Sequence, residues 1–123
     1  MQKTVLIIDD DPDNRILLSR FVTEWGYRAE TAAEGKTGLA KLRDINPSLV
    51  LLDLIMPGMD GLQFLKSARE LRPELAVIVI SGVDDEEIAK RAMTLGAVDY
   101  LVKPFVASYL ENSVRAKLAA IIR

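Results

Sequence analysis

The chain predicts a doubly wound α/β domain built on a parallel sheet. Three observations carry this. Short apolar runs such as Val5-Leu6-Ile7-Ile8, Leu49-Val50-Leu51-Leu52 and Val77-Ile78-Val79-Ile80 are continuous rather than alternating, the mark of strands buried on both faces. Between the runs lie longer segments with apolar residues at helical spacing. The two patterns alternate five times, and right-handed crossovers turn such an alternation into a parallel sheet with helices on both sides.

Residues 4–8 read as the first strand. Asp11-Pro12 opens a helix, since Asp caps and Pro suits the first helical position. Leu17, Phe21 and Trp25 follow at helical spacing, and Gly26 stops the helix. Residues 27–32 alternate polar and apolar, as an edge strand does. Residues 38–45 form a second helix with Leu39, Leu42 and Ile45 on one face, closed by Asn46-Pro47. Residues 49–52 are a buried strand, and Met56-Pro57-Gly58 is a loop. Residues 61–72 form a third helix with Leu62, Leu65, Ala68 and Leu71 inward, ending before Pro73. Residues 76–80 are another buried strand. Asp84 and Glu87 have capping-box-like spacing for a fourth helix through Thr94, closed by Gly96. Residues 100–102 are the last strand and 106–122 the last helix. The all-apolar strands belong at the centre of the sheet and the polar second strand at an edge.

A chain of 123 residues suits one domain, expected over 1–123, with a real core. The last helix runs to Arg123, so a further domain could follow it. Half of the residues are apolar and 28% charged, with net charge −2, and no basic stretch marks a nucleic-acid surface. No apolar run approaches a membrane span, and no signal peptide is visible. The absence of cysteine fits a reducing, cytoplasmic compartment. The absence of histidine excludes histidine general-base catalysis, zinc–imidazole sites and a phosphohistidine of the chain's own.

The chemistry gathers where the strands end. The first run ends on Asp9-Asp10, the third strand on Asp53, the fourth on Ser81, and the last on Lys103-Pro104. Ligands of open α/β sheets bind at that edge. Clustered carboxylates repel unless a cation joins them, so the set implies a divalent metal, and a lysine with a hydroxyl suits an incoming phosphoryl group. Asp9 to Asn14 resembles half of an EF-hand loop, but its sixth position is Asn14 rather than Gly and its twelfth is Arg20 rather than Glu. Helix capping accounts for Asp11 and Asp13. Gly35-Lys36-Thr37 resembles the end of a P-loop, but the Gly required five positions earlier is Glu30, so a plain helix start is the better reading. The Lys103-Pro104 bond is a candidate cis peptide.

In order along the chain, Asp9-Asp10, the segment Asp53-Leu54-Ile55-Met56-Pro57-Gly58-Met59-Asp60-Gly61, Ser81-Gly82, Gly96-Ala97, and Tyr100-Leu101-Val102-Lys103-Pro104-Phe105 resemble the receiver domain of bacterial two-component response regulators. The resemblance spans essentially the whole chain. It implies a flavodoxin-like sheet of strand order 2-1-3-4-5, an arrangement whose standard illustrations include the chemotaxis member of this family. It implies that Asp53 is the phosphoacceptor. Asp10, Asp53 and the Ile55 carbonyl would ligate Mg²⁺, with Asp9 acting through water. Lys103 and Ser81 would contact the phosphoryl oxygens, and Ser81 and Tyr100 would form the switch. The donor would be a sensor histidine kinase or a histidine phosphotransfer protein. The output would go to a partner protein or a downstream effector domain through the fourth helix, last strand and last helix, including Ile88, Arg91, Asp99, Leu101, Tyr109 and Asn112. A monomer or a weak phosphorylation-dependent dimer is expected. An aspartyl-phosphate hydrolase would need an acid–base Asp where Ile55 stands. A flavodoxin-like redox protein would not place Asp9-Asp10-Asp11 against a flavin phosphate.

Overall fold

Five strands and five helices alternate along the chain in the computed structural model, which describes residues 2–56 and 58–120. They are β1 (Thr4–Ile8), α1 (Pro12–Glu24), β2 (Arg28–Ala32), α2 (Gly35–Ile45), β3 (Leu49–Leu52), α3 (Gly61–Leu71), β4 (Ala76–Ser81), α4 (Glu86–Thr94), β5 (Asp99–Val102) and α5 (Ala107–Ala119). The sheet order is β2-β1-β3-β4-β5, every pair parallel. The expected strand order holds, with the apolar β1, β3 and β4 at the centre and β2 at one edge.

Period-two alternation divides the core into two layers. Leu6, Ile8, Val50, Leu52, Val77 and Val79 pack with Leu42 of α2, Phe64 and Leu65 of α3, and Ala92 of α4. Val5, Ile7, Leu49, Leu51, Ile78 and Ile80 pack on the other face with Leu18 and Val22 of α1 and Leu110, Val114 and Leu118 of α5. Continuous apolar strands are therefore needed, because consecutive residues serve opposite cores.

Several elements differ from the sequence expectation. On α1 the buried residues are Leu18 and Val22, while Leu17 is 42% exposed. Phe21 and Trp25 are partly buried and stack at 5.8 Å. Helix α2 starts about one turn early, at Gly35, with no side-chain cap from Glu34. On α3, Phe64 is fully buried, while Leu71 is 39% exposed. The cap of α4 is Asp85 rather than Asp84: its carboxylate accepts from the Glu87 and Ile88 amides. Leu101 is buried under α5 and not on the surface. The expected end of the last helix at Ile122 lies outside the described residues.

Two glycines allow close approach rather than unusual backbone. A Cβ on Gly38 would sit 2.5 Å from Ile8 Cδ1, so α2 lies directly on β1. A Cβ on Gly61 would sit 2.5 Å from Leu54 Cα and 2.9 Å from the Asp53 carbonyl oxygen. The first turn of α3 thus presses on the backbone that follows β3. The Asp60–Gln63 capping box and the bond from the Gly61 amide to the Leu54 carbonyl (2.8 Å) hold it there. Gly61→Ala should destabilise the fold by about 2 kcal/mol, because backbone cannot yield as a side chain does. Gly82→Ala, where a Cβ meets nothing within 4 Å, should stay within about 0.5 kcal/mol. Urea unfolding of both variants checks this, and equal midpoints would refute it.

Candidate functional site

The carboxyl ends of the central strands are set by register. Ile8 pairs with Leu52, and the next residues on the two strands are Asp9 and Asp53. The ladder continues one step past the strands: the Asp53 amide donates to Ile8 O (2.9 Å) and the Asp9 amide to Ala32 O (3.1 Å). Ser81 pairs with Val102, and the Lys103 amide donates to Ser81 O (2.8 Å). Each polar side chain thus begins where apolar packing stops, on backbone that the sheet still holds.

Oxygens of Asp9, Asp10 and Asp53 lie within 4.8 Å of one another. Asp9 and Asp53 are buried, and Asp10 is exposed. Lys103 Nζ joins the buried pair, 3.1 Å from Asp9 Oδ2 and 3.5 Å from Asp53 Oδ2. The Asp11 amide donates to Asp9 Oδ1 (2.9 Å) and the Ile55 amide to Asp53 Oδ1 (3.3 Å). The Lys103–Pro104 bond is cis, as the sequence suggests.

Burial pushes the Asp53 carboxyl above its ordinary range; the Lys103 charge opposes this and the Asp9 charge adds to it. Burial pulls Lys103 down, but the Asp9 hydrogen bond and the Asp53 and Asp9 charges outweigh it, so the ammonium is held above its usual value. Three carboxylates against one ammonium leave a charge of −2 at the cluster. The donor set is all oxygen and one carboxylate is open to water. Hard divalent cations take such sites, so the residues fit Mg²⁺.

Ser81 is fully buried, and its Oγ accepts from the Val83 amide (3.2 Å) rather than meeting Asp53. Tyr100 is half-buried, and its hydroxyl donates to the Val83 carbonyl (2.7 Å). Burial raises its pKa. Ile55 is 64% exposed beside the cluster. The expected residues are therefore brought to one edge in two groups: Asp9, Asp10, Asp53 and Lys103 together, and Ser81 with Tyr100 linked through Val83. Sequence reasoning missed Val83 as that link, and Arg15, whose Nη1 donates to Asp9 O (2.8 Å). Backbone contacts of this kind leave no composition signal.

A carboxylate cluster clamped by a strand-end lysine, on a parallel sheet of order 2-1-3-4-5, is the arrangement of receiver folds. The family model described as response regulator receiver domain matches residues 5–115. The chain belongs to this family and is a receiver domain of the response regulators of two-component systems. It is 38% identical over 112 residues to the probable C4-dicarboxylate response regulator DctR of Halalkalibacterium halodurans, covering 89% of this chain and 49% of that protein. It is 38% identical over 114 residues to the regulatory protein AtoC of Escherichia coli, covering 93% and 25%. The chain thus spans only about a quarter to a half of these relatives. Among solved structures, a CheY-like receiver domain protein from Methanospirillum hungatei superposes with TM-score 0.93 at 31% identity, covering 98% of this chain and 96% of that one. A two-component response regulator from Clostridium difficile superposes with TM-score 0.94 at 26% identity, covering 99% and 100%.

The raised carboxyl of Asp53 has a measurable cost. Where the folded value lies above the unfolded one, the folded state binds the proton more tightly, so stability falls as pH rises through that window. Asp53→Asn should therefore raise Tm at pH 7 by about 2–5 °C. The gain should vanish below the ordinary value of 3.8, where Asp53 is protonated in both states. Thermal melts of both proteins from pH 3 to 7 check this; a lower Tm for the variant at pH 7 would refute it.

Proposed function

We propose that this chain is a single receiver domain over residues 1–123 that works as a phosphorylation switch in the cytoplasm. Asp53 accepts a phosphoryl group from the phosphohistidine of a sensor kinase or phosphotransfer protein. The observation that carries this is the buried Asp53 carboxylate at a strand end, 3.5 Å from the Lys103 ammonium and clustered with Asp9 and Asp10. An Asp53 oxygen attacks phosphorus, the P–N bond to the donor imidazole breaks, and its electron pair stays on the imidazole nitrogen.

Asp10, Asp53 and the Ile55 carbonyl are the proposed protein ligands for Mg²⁺. Asp9 acts through water, in keeping with a carboxylate already held by Lys103 and the Asp11 amide. When bound, the ion neutralises the repulsion between carboxylate and phosphoryl donor and orients the phosphoryl oxygens. Lys103 supplies fixed positive charge to the same oxygens. Gly82 leaves open space next to Ser81.

The output follows from Val83. Its amide serves Ser81 and its carbonyl serves Tyr100. A Ser81 hydroxyl that turns to a phosphoryl oxygen releases the Val83 amide, and the loop before α4 moves with the Tyr100 ring. One charge-assisted hydrogen bond is worth a few kcal/mol at most, enough to shift a balanced equilibrium and too little to rebuild a core. The surface affected is that of α4, β5 and α5, with Arg91, Tyr109 and Asn112 exposed on it. Its partner is an output domain or a separate protein, and a weak dimer of the phosphorylated form would use the same face. No nucleic acid or membrane contact is assigned to this segment; among the described residues no helix is long and apolar enough to cross a membrane.

Incubation with acetyl phosphate and Mg²⁺ should add one phosphoryl group by intact-mass measurement. Asp53→Asn, or chelation of Mg²⁺, should abolish it, and undiminished labelling of the variant would sink the assignment. The lifetime of that group is a second test. Ile55 and Val83 each stand two residues after an active-site group and cannot orient a water. Replacing them with Asn and Glu together should speed loss of phosphate by roughly tenfold, about 1.4 kcal/mol in the barrier. An unchanged rate in the double variant would show that the lifetime is set elsewhere.

A further inference from the structure

Asp9 is tied at all four of its polar atoms. Its amide donates to Ala32 O (3.1 Å), its Oδ1 accepts from the Asp11 amide (2.9 Å) and its Oδ2 from Lys103 Nζ (3.1 Å). Its carbonyl accepts from Arg15 Nη1 (2.8 Å), a bond reaching back six residues from α1. Asp10 is the opposite case. It is exposed, and its carboxylate accepts no hydrogen bond among the described residues, yet it lies within 4.8 Å of its partners. The Asp9 carbonyl and the Asp10 nitrogen share one rigid peptide plane, so whatever fixes the carbonyl orients the start of Asp10.

We infer that Arg15 is a positioning residue: its guanidinium locks the Asp9–Asp10 peptide so that the otherwise unheld Asp10 carboxylate faces Asp9 and Asp53 and can hold a divalent cation. This rests on the reading of Asp10 as a cation ligand given above. The base of the Arg15 side chain is itself fixed, because the next turn of α1 buries Leu18 and Val22 against the sheet. A guanidinium suits the half-buried place between helix and turn, being planar, permanently charged and weakly hydrated.

The charge of Arg15 makes the inference testable by sign. A cation beside a cation site weakens binding by repulsion, so a residue acting only through its charge would, once neutralised, leave the site tighter. A positioning residue, once removed, leaves the site weaker. The probe is Mn²⁺, titrated into the unphosphorylated protein and followed by the electron paramagnetic resonance signal of the free ion. Arg15→Met should bind Mn²⁺ about tenfold more weakly than the parent, the scale of lost support behind a metal ligand. Arg15→Lys, which keeps a donor and the charge, should recover part of that loss. Circular dichroism should show Arg15→Met folded at the titration temperature; where it is not, Arg15→Gln, which also loses the charge and most of the reach, takes its place in the comparison. Binding by the neutral variant as tight as the parent's, or tighter, overturns the role of Arg15. A parent protein that binds no Mn²⁺, or an Asp10→Asn variant that binds it unchanged, overturns the reading of Asp10 and this inference with it.

Discussion

The ion pairs of Lys103 with Asp9 and Asp53 are the constraint on which the rest of the site depends. Oxygens of three carboxylates stand within 4.8 Å of one another. At the effective dielectric of a protein edge, each pair of full charges at that distance repels by about 3 kcal/mol. Three unrelieved pairs would rival the whole stability of a small domain, about 5–15 kcal/mol. One ammonium set between the two buried carboxylates makes the cluster tolerable without neutralising it. The remaining charge of −2 suits the edge to a divalent ion.

Strand alternation then separates chemistry from its consequence. Asp9, Asp53 and Lys103 continue the parity of Ile7, Leu51 and Leu101, which face α1 and α5. Ser81 and Tyr100 continue the parity of Val79, on the face of α3 and α4. The two faces meet at Ser81, whose backbone is bonded to Lys103 and whose hydroxyl is bonded to Val83. Helix α4 is lightly anchored, since Ala92 is its one buried residue. Its far end is held more firmly: the Arg69 guanidinium donates to Gly96 O (2.9 Å) and to Pro73 O (2.6 Å), joining the ends of α4 and α3.

The sequence disclosed the strands and their order of chemistry more fully than the helix faces. Continuous runs such as Leu49 to Leu52 have one reading, and the polar residue ending each run marks the edge of the sheet. Helix α1 and its C-cap carry apolar residues at Ile16, Leu17, Leu18, Phe21, Val22 and Trp25, more than one face holds, so two frames one residue apart fit equally. The sheet selected Leu18 and Val22. Helix α3 posed the same choice, with Leu62 and Leu71 in one frame and Gly61 and Phe64 in the other. The start of α2 was hidden because Glu34 makes no side-chain cap and its glycines serve packing on β1 and Met59. Arg15 and Val83 act on or through backbone atoms, and such contacts leave no trace in residue pattern.

The ion pairs of Lys103 also tie together distant parts of the chain, spanning 94 residues to Asp9 and 50 to Asp53. No fragment short of nearly the whole domain contains the clamp. A chain emerging from the ribosome carries its acidic residues long before their counter-charge appears, and until β5 joins the sheet they remain unclamped. A fragment lacking β5 therefore keeps its buried carboxylates without the counter-charge that holds them together in the complete sheet.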